Sequence, residues 1–209
     1  MFIPKLFAEP DVATCHALIR DYGFGVLVTA IDDAPFATHL PFLIEESGGA
    51  NGTLIAHMAR ANPHWQAFAQ GGESLAIFQG PHAYISPAWY ETKSGVVPTW
   101  NYAAVHAYGV PQIVEDEKAA RACLERLVAR HEDASATPWR IDSQPEDFIA
   151  QMAKGIVAFT VPIARLEGKW KMSQNRPEAD RAGVIGALEN AGVPLGIEVA
   201  HVMRTKAKP

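Results

Sequence analysis

The chain has 209 residues, 48% hydrophobic and 20% charged, with a formal net charge of −5, the composition of a globular domain long enough to bury a core. From Arg165 onward eight Lys/Arg stand against five Asp/Glu, a balance of +3, which leaves −8 on the first 164 residues; this argues against a dedicated DNA-binding domain with a basic face and keeps an anionic ligand in play for the C-terminal segment. No apolar run is long enough to cross a bilayer, Pro4, Lys5, Glu9, Pro10 and Asp11 break up any secretory-type start, and the widely separated Cys15 and Cys123 read as reduced, buried thiols of a cytoplasmic protein.

Asp11 to Asp21 reads as a short amphipathic helix with Val12, Leu18 and Ile19 on its apolar side. Phe24–Ile31 is a near-continuous apolar run, hence a buried strand, and the turn residues at 32–35 return the chain as a second strand over Phe36–Glu45. A Gly-rich turn at 47–52 leads to a third strand, Thr53–Arg60. That strand ends at Asn62, a helix cap followed by Pro63 at the first helical position. Ser74–Phe78 and Ala83–Tyr90 read as one long or bent strand with Pro81 and Pro87 at edges or bulges. Val96–Glu115 is a further long strand region.

The clearest helix spans residues 117–131, capped by Asp116, with Ala120, Leu124, Leu127 and Val128 at helical spacing. Ser143-Gln144-Pro145-Glu146 has the form of a capping box and opens a helix over 145–154. Ile156–Met172 reads as a last long strand. Asn175-Arg176-Pro177-Glu178 repeats the capping signature and opens a helix over 177–190; the tail from Glu189 to Pro209 carries no motif. Tight-turn strands followed by helices and a late strand place the chain among mainly β or α+β folds, as an antiparallel barrel or meander flanked by helices.

The segment from Gly80 to Gly109 holds four of the five tyrosines, two of the five tryptophans and two of the eight histidines. These rings with polar tips, mixed with Thr99, Asn101 and His106, suit either a planar, partly polar ligand or cross-strand aromatic pairing. No GxGxxG after a strand, P-loop, HExxH or GxSxG occurs. Five histidines (His39, His57, His64, His82, His106) fall between positions 39 and 106, but none has metal-ligand spacing and no cysteine is near, so they read as hydrogen-bonded strand histidines and no metal is expected.

Two helix starts are anion candidates. At His57-Met58-Ala59-Arg60-Ala61-Asn62-Pro63-His64-Trp65 a strand runs into a helix N-terminus and Arg60 offers a fork suited to phosphate; a surface arginine beside a plain asparagine cap is the alternative. At Lys169-Trp170-Lys171-Met172-Ser173-Gln174-Asn175-Arg176-Pro177 three cations surround a second helix start. There Asn175 is either a simple cap or part of a grip on a phosphate, a ribityl chain or a neighbouring subunit.

Taken together, Met1-Phe2-Ile3-Pro4-Lys5, Thr38-His39-Leu40-Pro41, HMARANPHW, GPHAYISPAWY, VPTWNYAAVHAYG and KWKMSQNRPEADRAGVI resemble the PaiB-type FMN-binding negative transcriptional regulators, from Met1 to about Leu188. The resemblance implies an FMN-binding split barrel, a six-stranded antiparallel barrel flanked by helices and related in fold to pyridoxamine-phosphate oxidases. It implies a single domain over 1–209 and a homodimer holding FMN in the interface cleft. Thr38 and His39 would line the flavin. His57, Met58, Arg60 and Asn62 would lie at its phosphate or ribityl end, and Trp100 and Asn101 at the ring. Lys171, Gln174, Asn175 and Arg176 would close the site, from either subunit.

The implied function is negative regulation of transcription, through DNA directly or through a regulatory protein partner. A flavin-dependent oxidoreductase acting on a small planar substrate or on haem is the alternative, with His39, His57 or His106 available for proton transfer but no orienting carboxylate evident and no catalytic residue assignable. A barrel that has lost its flavin and serves as a dimeric interaction module is a third reading.

Overall fold

A computed structural model describes residues 1–206. The strands, in chain order, are β1 (Ala8–Glu9), β2 (Phe24–Ile31), β3 (Ala34–Pro41), β4 (Leu43–Glu45), β5 (Thr53–Ala59), β6 (Ser74–Ile85), β7 (Thr99–Gly109), β8 (Gln112–Ile113), β9 (Ile156–Pro162) and β10 (Arg165–Lys171). The α-helices are α1 (Val12–Asp21), α2 (Glu117–Glu132), α3 (Glu146–Lys154), α4 (Glu178–Ala191) and α5 (Pro194–Thr205). A six-stranded antiparallel sheet has the order β1-β10-β7-β6-β2-β3, and a four-stranded sheet the order β4-β5-β9-β8.

The chain packs as two units. The first comprises Met1–Cys15, Gln79–Val105 and the segment from Glu167 on; the second comprises His16–Phe78 and His106–Leu166. In the second unit, β2 and β3 form a hairpin in which Leu27 faces Thr38 and Val26 faces His39. Asp32 and Asp33 close it, both with left-handed φ (50° and 61°), as a two-residue hairpin turn demands and aspartate tolerates. Leu27, Leu54, Phe78 and Phe159 are fully buried here, and edge-to-face contacts such as Phe42–Phe78, 5.4 Å between centroids, fill the core. α2 covers β5 and β9: Cys123 packs against Ile55 and Ala158.

Three expected long strands are each broken; Val96–Glu115 divides after Gly109, and β7 and β8 belong to different sheets. Phe36–Glu45 divides at Phe42, whose amide donates to Gly23 O (2.7 Å) and whose ring turns into the core, so β3 and β4 serve different sheets. Ile156–Met172 divides after Pro162, which has no N–H for a ladder; Ile163 N instead donates to Gly52 O (3.0 Å), and β9 and β10 likewise belong to different sheets.

The two expected capping boxes do not form. α3 starts after Pro145 and α4 after Pro177, neither with a side-chain cap, and the Ser143 hydroxyl donates to Arg140 O instead. In both cases proline itself occupies the N-cap position with an extended ψ (134° and 154°) and offers no side-chain acceptor. Asp116 does cap α2, accepting from Ala119 N at 2.8 Å. The tail left without a motif contains α5, which starts on Pro194 once Gly192 (φ 68°) has ended α4; the last three residues lie outside the described ones.

In the first unit α4 packs on α5 through Val184, Leu188, Val199 and Met203. α4 also meets the 3₁₀ turn Pro87–Trp89 so closely that a Cβ on Gly183 would lie 2.1 Å from Trp89 O. Gly183→Ala is therefore expected to lower stability by about 2 kcal/mol through overpacking against rigid backbone, measurable as a lower urea midpoint with an unchanged m-value. Both cysteines are buried and free, and the Cys15 thiol is pushed up to about 12 by burial and by Glu9 and Asp11.

Candidate functional site

β7 decides where the aromatic segment points. Along it Asn101, Ala103, Val105, Ala107 and Gly109 are buried, while Tyr102, Ala104, His106 and Tyr108 are only half-buried. Small residues therefore face the core and the rings face outward. Trp100 is 54% exposed and Tyr84 47%, with the two rings edge-to-face at 6.0 Å and His82 at 6.4 Å from Trp100. Such exposed rings are an available stacking surface.

Next to that surface the first unit gathers cations. Lys171 Nζ donates to Thr99 Oγ1 and Trp100 O, both at 2.6 Å, and lies 6.0 Å from the Phe7 ring centroid. Its acceptors are neutral. Burial holds its pKa below the ordinary lysine value, and Lys169 and Arg176 push in the same direction. Lys169 donates to Phe2 O and lies over Tyr102, and the Arg176 guanidinium sits 4.6 Å over the Tyr90 ring. A half-buried ammonium held among two further cations and neutral oxygens is a place where an anion is stabilised.

The remaining candidates of this segment have structural work. Asn101 is fully buried, its amide bonded to Ser173 Oγ (3.0 Å) and Met203 Sδ (3.4 Å). Gln174 closes a turn: its Oε1 accepts from Met172 N (2.7 Å), its Nε2 donates to Trp170 O (2.6 Å), and Ser173 between them has φ 60°. Asn175 is exposed and caps nothing.

In the second unit a chain of hydrogen bonds runs inward from the start of the 3₁₀ helix Pro63–Gln70. Asn62 Oδ1 accepts from His64 N (3.0 Å), which caps the helix, and Asn62 Nδ2 donates to Thr38 Oγ1 (3.1 Å). Thr38 Oγ1 meets His64 Nδ1 at 2.8 Å, His64 Nε2 meets Thr29 Oγ1 at 2.8 Å, and Thr29 meets Ser74 Oγ at 2.6 Å. Burial pushes the His64 pKa down, so the ring is neutral and one nitrogen must accept. His64 was not among the expected site residues. Its signal was its place directly after an Asn-Pro cap, where a buried imidazole finds hydroxyl partners from two strands.

The other candidates separate. Thr38 pairs with buried Leu27 and points inward, whereas His39 is exposed and stacks on Phe24 at 6.2 Å, so these neighbours occupy opposite faces of β3. Met58 is buried in the core. His57 shares the other face of β5 with Ile55, on the side covered by α2. The Arg60 fork is engaged by carbonyls, with Nε on Lys154 O and Nη2 on Ile156 O, both 2.8 Å.

His57 Nδ1 is buried without a partner, and burial lowers the pKa of His57 as it does that of His64. A neutral buried histidine opposes protonation in the fold, so stability is full above the usual value of 6.5 and falls as pH drops from there towards the depressed folded values. His57→Leu is expected to leave stability at pH 7.5 unchanged or raised by up to about 1 kcal/mol. It should also flatten the decline between pH 6.5 and 5, read from urea midpoints.

The model of the family described as "Putative FMN-binding domain" matches residues 1–165. The chain belongs to that family. Among relatives of this FMN-binding family, it is 34% identical over 208 residues to the Protease synthase and sporulation protein PAI 2 of Bacillus subtilis, covering 100% of this chain and 99% of that one. It is 33% identical to a protein of Emericella nidulans, over 100% and 98% of the two chains. Among solved structures, the flavocytochrome Anf3 of Azotobacter vinelandii aligns with a TM-score of 0.65 at 16% identity, over 84% of this chain and 75% of that one. The FAD and heme binding protein of Mycobacterium smegmatis aligns at 0.62 and 15%, over 84% and 78%. The fold is the flavin-binding split barrel, and the cofactor class of the FMN-binding family is a flavin.

The residues present fit such a group. The exposed Trp100 and Tyr84 rings suit an isoalloxazine, and Lys171 with Arg176 suits a phosphate. Among the described residues no His/Cys/Asp/Glu cluster could hold a metal ion, and no helix is long and apolar enough to cross a membrane.

Proposed function

We propose that the protein binds FMN as a homodimer and acts in negative control of gene expression. One observation carries the choice of FMN over an unphosphorylated flavin: the half-buried Lys171 ammonium, flanked by Lys169 and Arg176, has only neutral acceptors. A phosphate there would supply the missing negative charge. Lys171 and Arg176 would hold the phosphate, and Trp100 with Tyr84 would carry the ring. On the resemblance, Thr38 and Asn62 of the second unit, aligned through His64, are further candidates to contact a flavin. When bound, the flavin supplies reversible one- or two-electron chemistry that no side chain offers.

The regulatory part is supported by the resemblance to PaiB-type regulators and by the full-length similarity to the sporulation protein of B. subtilis. The net charge of −5 favours a route through a partner protein over tight direct DNA binding.

Titration of the purified protein with FMN and with riboflavin tests the cofactor: FMN is expected to quench at one equivalent per chain and bind at least about tenfold tighter, the least that one charge-assisted contact supplies. Equal affinities would overturn the phosphate assignment. Light scattering tests the dimer. A gel shift with the upstream region of its own gene, at two salt concentrations, tests direct DNA binding. Anaerobic reduction of the bound flavin by NADH, followed by turnover with added acceptors, would turn the reading towards an oxidoreductase.

A further inference from the structure

A cavity of about 670 Å³ lies beside α3 in the second unit, lined by α2, α3, β8, β9, Arg60 just before the Pro63–Gln70 helix and Trp65 within it. That is within the size range of small-molecule sites. Its walls are aliphatic, with Ile113 and Ile156 from the sheet, Leu124 from α2, and Ile149 and Ala153 from α3.

α3 is the unusual wall. Glu146, Ile149, Ala150 and Ala153 recur at helical spacing and all line the cavity, yet no residue of α3 is buried. A globular helix normally covers such a stripe with neighbouring side chains; this one borders open volume. Polar contacts at its ends keep it in place. Arg121 pairs with Glu146 at the start, and at the far end Arg60 donates through its side chain to Lys154 O and Ile156 O and through its backbone to Gly155 O (2.8 Å). The helix therefore keeps its position without filling the space beside it.

The rim indicates what enters. Arg121 is engaged by Glu125 and Glu146 and Arg60 by carbonyls, and Glu115, Glu117, Lys118 and Lys154 also stand along the lining. The Trp65 indole N–H is bonded to Arg60 O at 2.9 Å, and the Arg60 guanidinium lies 5.9 Å from its ring centroid. Charged side chains of both signs stand along the lining while its walls are mostly aliphatic, and apolar cavities take apolar guests more readily than water.

We infer that this cavity is a second ligand site, for an uncharged and largely apolar small molecule, separate from the residues that would hold the flavin ring and phosphate. The inference does not depend on the FMN reading.

Titration of the full-length protein with 1-fluoronaphthalene, followed by ¹⁹F NMR, tests it. Saturable binding of one molecule per chain is expected, unchanged by excess FMN. Ala153→Phe and Ala120→Leu, which fill the space from α3 and α2, should each weaken it at least tenfold without lowering the melting temperature. In the wild-type protein the probe should also slow amide exchange over residues 149–154, a readout that needs no variant to fold. Absence of saturable binding, displacement by FMN, full binding in both filled variants, or no protection of α3 would each overturn the assignment.

Discussion

A His64→Phe variant is expected to lose about 2–3 kcal/mol of stability and, at the same time, most of its affinity for FMN. The argument follows the protons. The neutral imidazole accepts at one nitrogen and donates at the other. Asn62 Nδ2 donates to Thr38 Oγ1, Thr38 and Thr29 share the two ring nitrogens of His64, one as donor and one as acceptor, and Thr29 is bonded on to Ser74. One buried ring thus links four other polar side chains, Asn62, Thr38, Thr29 and Ser74. Phenylalanine would fit the space between Phe36 (5.1 Å) and Phe68 (5.7 Å), so no cavity opens and the loss is polar. Two hydroxyls lose a partner, each costing about 1–3 kcal/mol but partly relieved by the partners that remain. Urea unfolding measures the first effect and flavin fluorescence the second. His64→Asn, which can still offer an acceptor near the Nδ1 position, should recover flavin binding more than stability. Lost stability with unchanged FMN affinity would mean that Thr38 and Asn62 stand apart from the flavin.

The second large effect is expected from Lys171→Met: FMN affinity falls about 10–100-fold while riboflavin affinity is unchanged, the size of one charge-assisted contact to phosphate. Its pH dependence has a definite sign. The folded ammonium has a pKa below the usual 10.5, through burial first and then Lys169 and Arg176. Between the depressed value and 10.5 the unfolded chain binds more protons, so the wild-type protein gains stability as pH rises through that window, and Lys171→Met should not. Phosphate favours the charged form, so FMN binding takes up a proton in the same window and weakens as pH rises. Calorimetry in two buffers of different ionisation enthalpy detects the proton. An FMN-to-riboflavin preference that survives the substitution would place the phosphate elsewhere.

Most of the architecture was legible in the sequence because its signals are local. The apolar run of β2, the Asp-Asp turn and the Asp116 cap each act within a few residues. What stayed hidden depends on distant partners. Nothing near Phe42 or Pro162 announces that the chain leaves one sheet for another, since an extended backbone suits both. The two Ser/Asn capping signatures misled because the following proline, which has no side-chain acceptor, takes the N-cap position. Among site residues, the spacing of Lys169, Lys171 and Arg176 displayed the cationic cluster directly. Gln174 and Asn101 were read as ligand contacts because polarity is visible in a sequence and the local turn or buried amide network that engages it is not. Arg60 shows the same limit: its guanidinium serves backbone carbonyls some ninety residues away in the chain.

Arg181 of α4 is buried, and its Nη2 donates to Met203 O (2.8 Å) and Lys206 O (3.2 Å), the unsatisfied carbonyls where α5 ends. The last turn of a helix ordinarily frays, opening many times for every global unfolding event. Here a guanidinium rooted in another helix clasps that turn from outside. Deuterium uptake at the amides of residues 199–203 should therefore be as slow as in the interior of α4, and Arg181→Lys should return it to the fast regime of a frayed helix end.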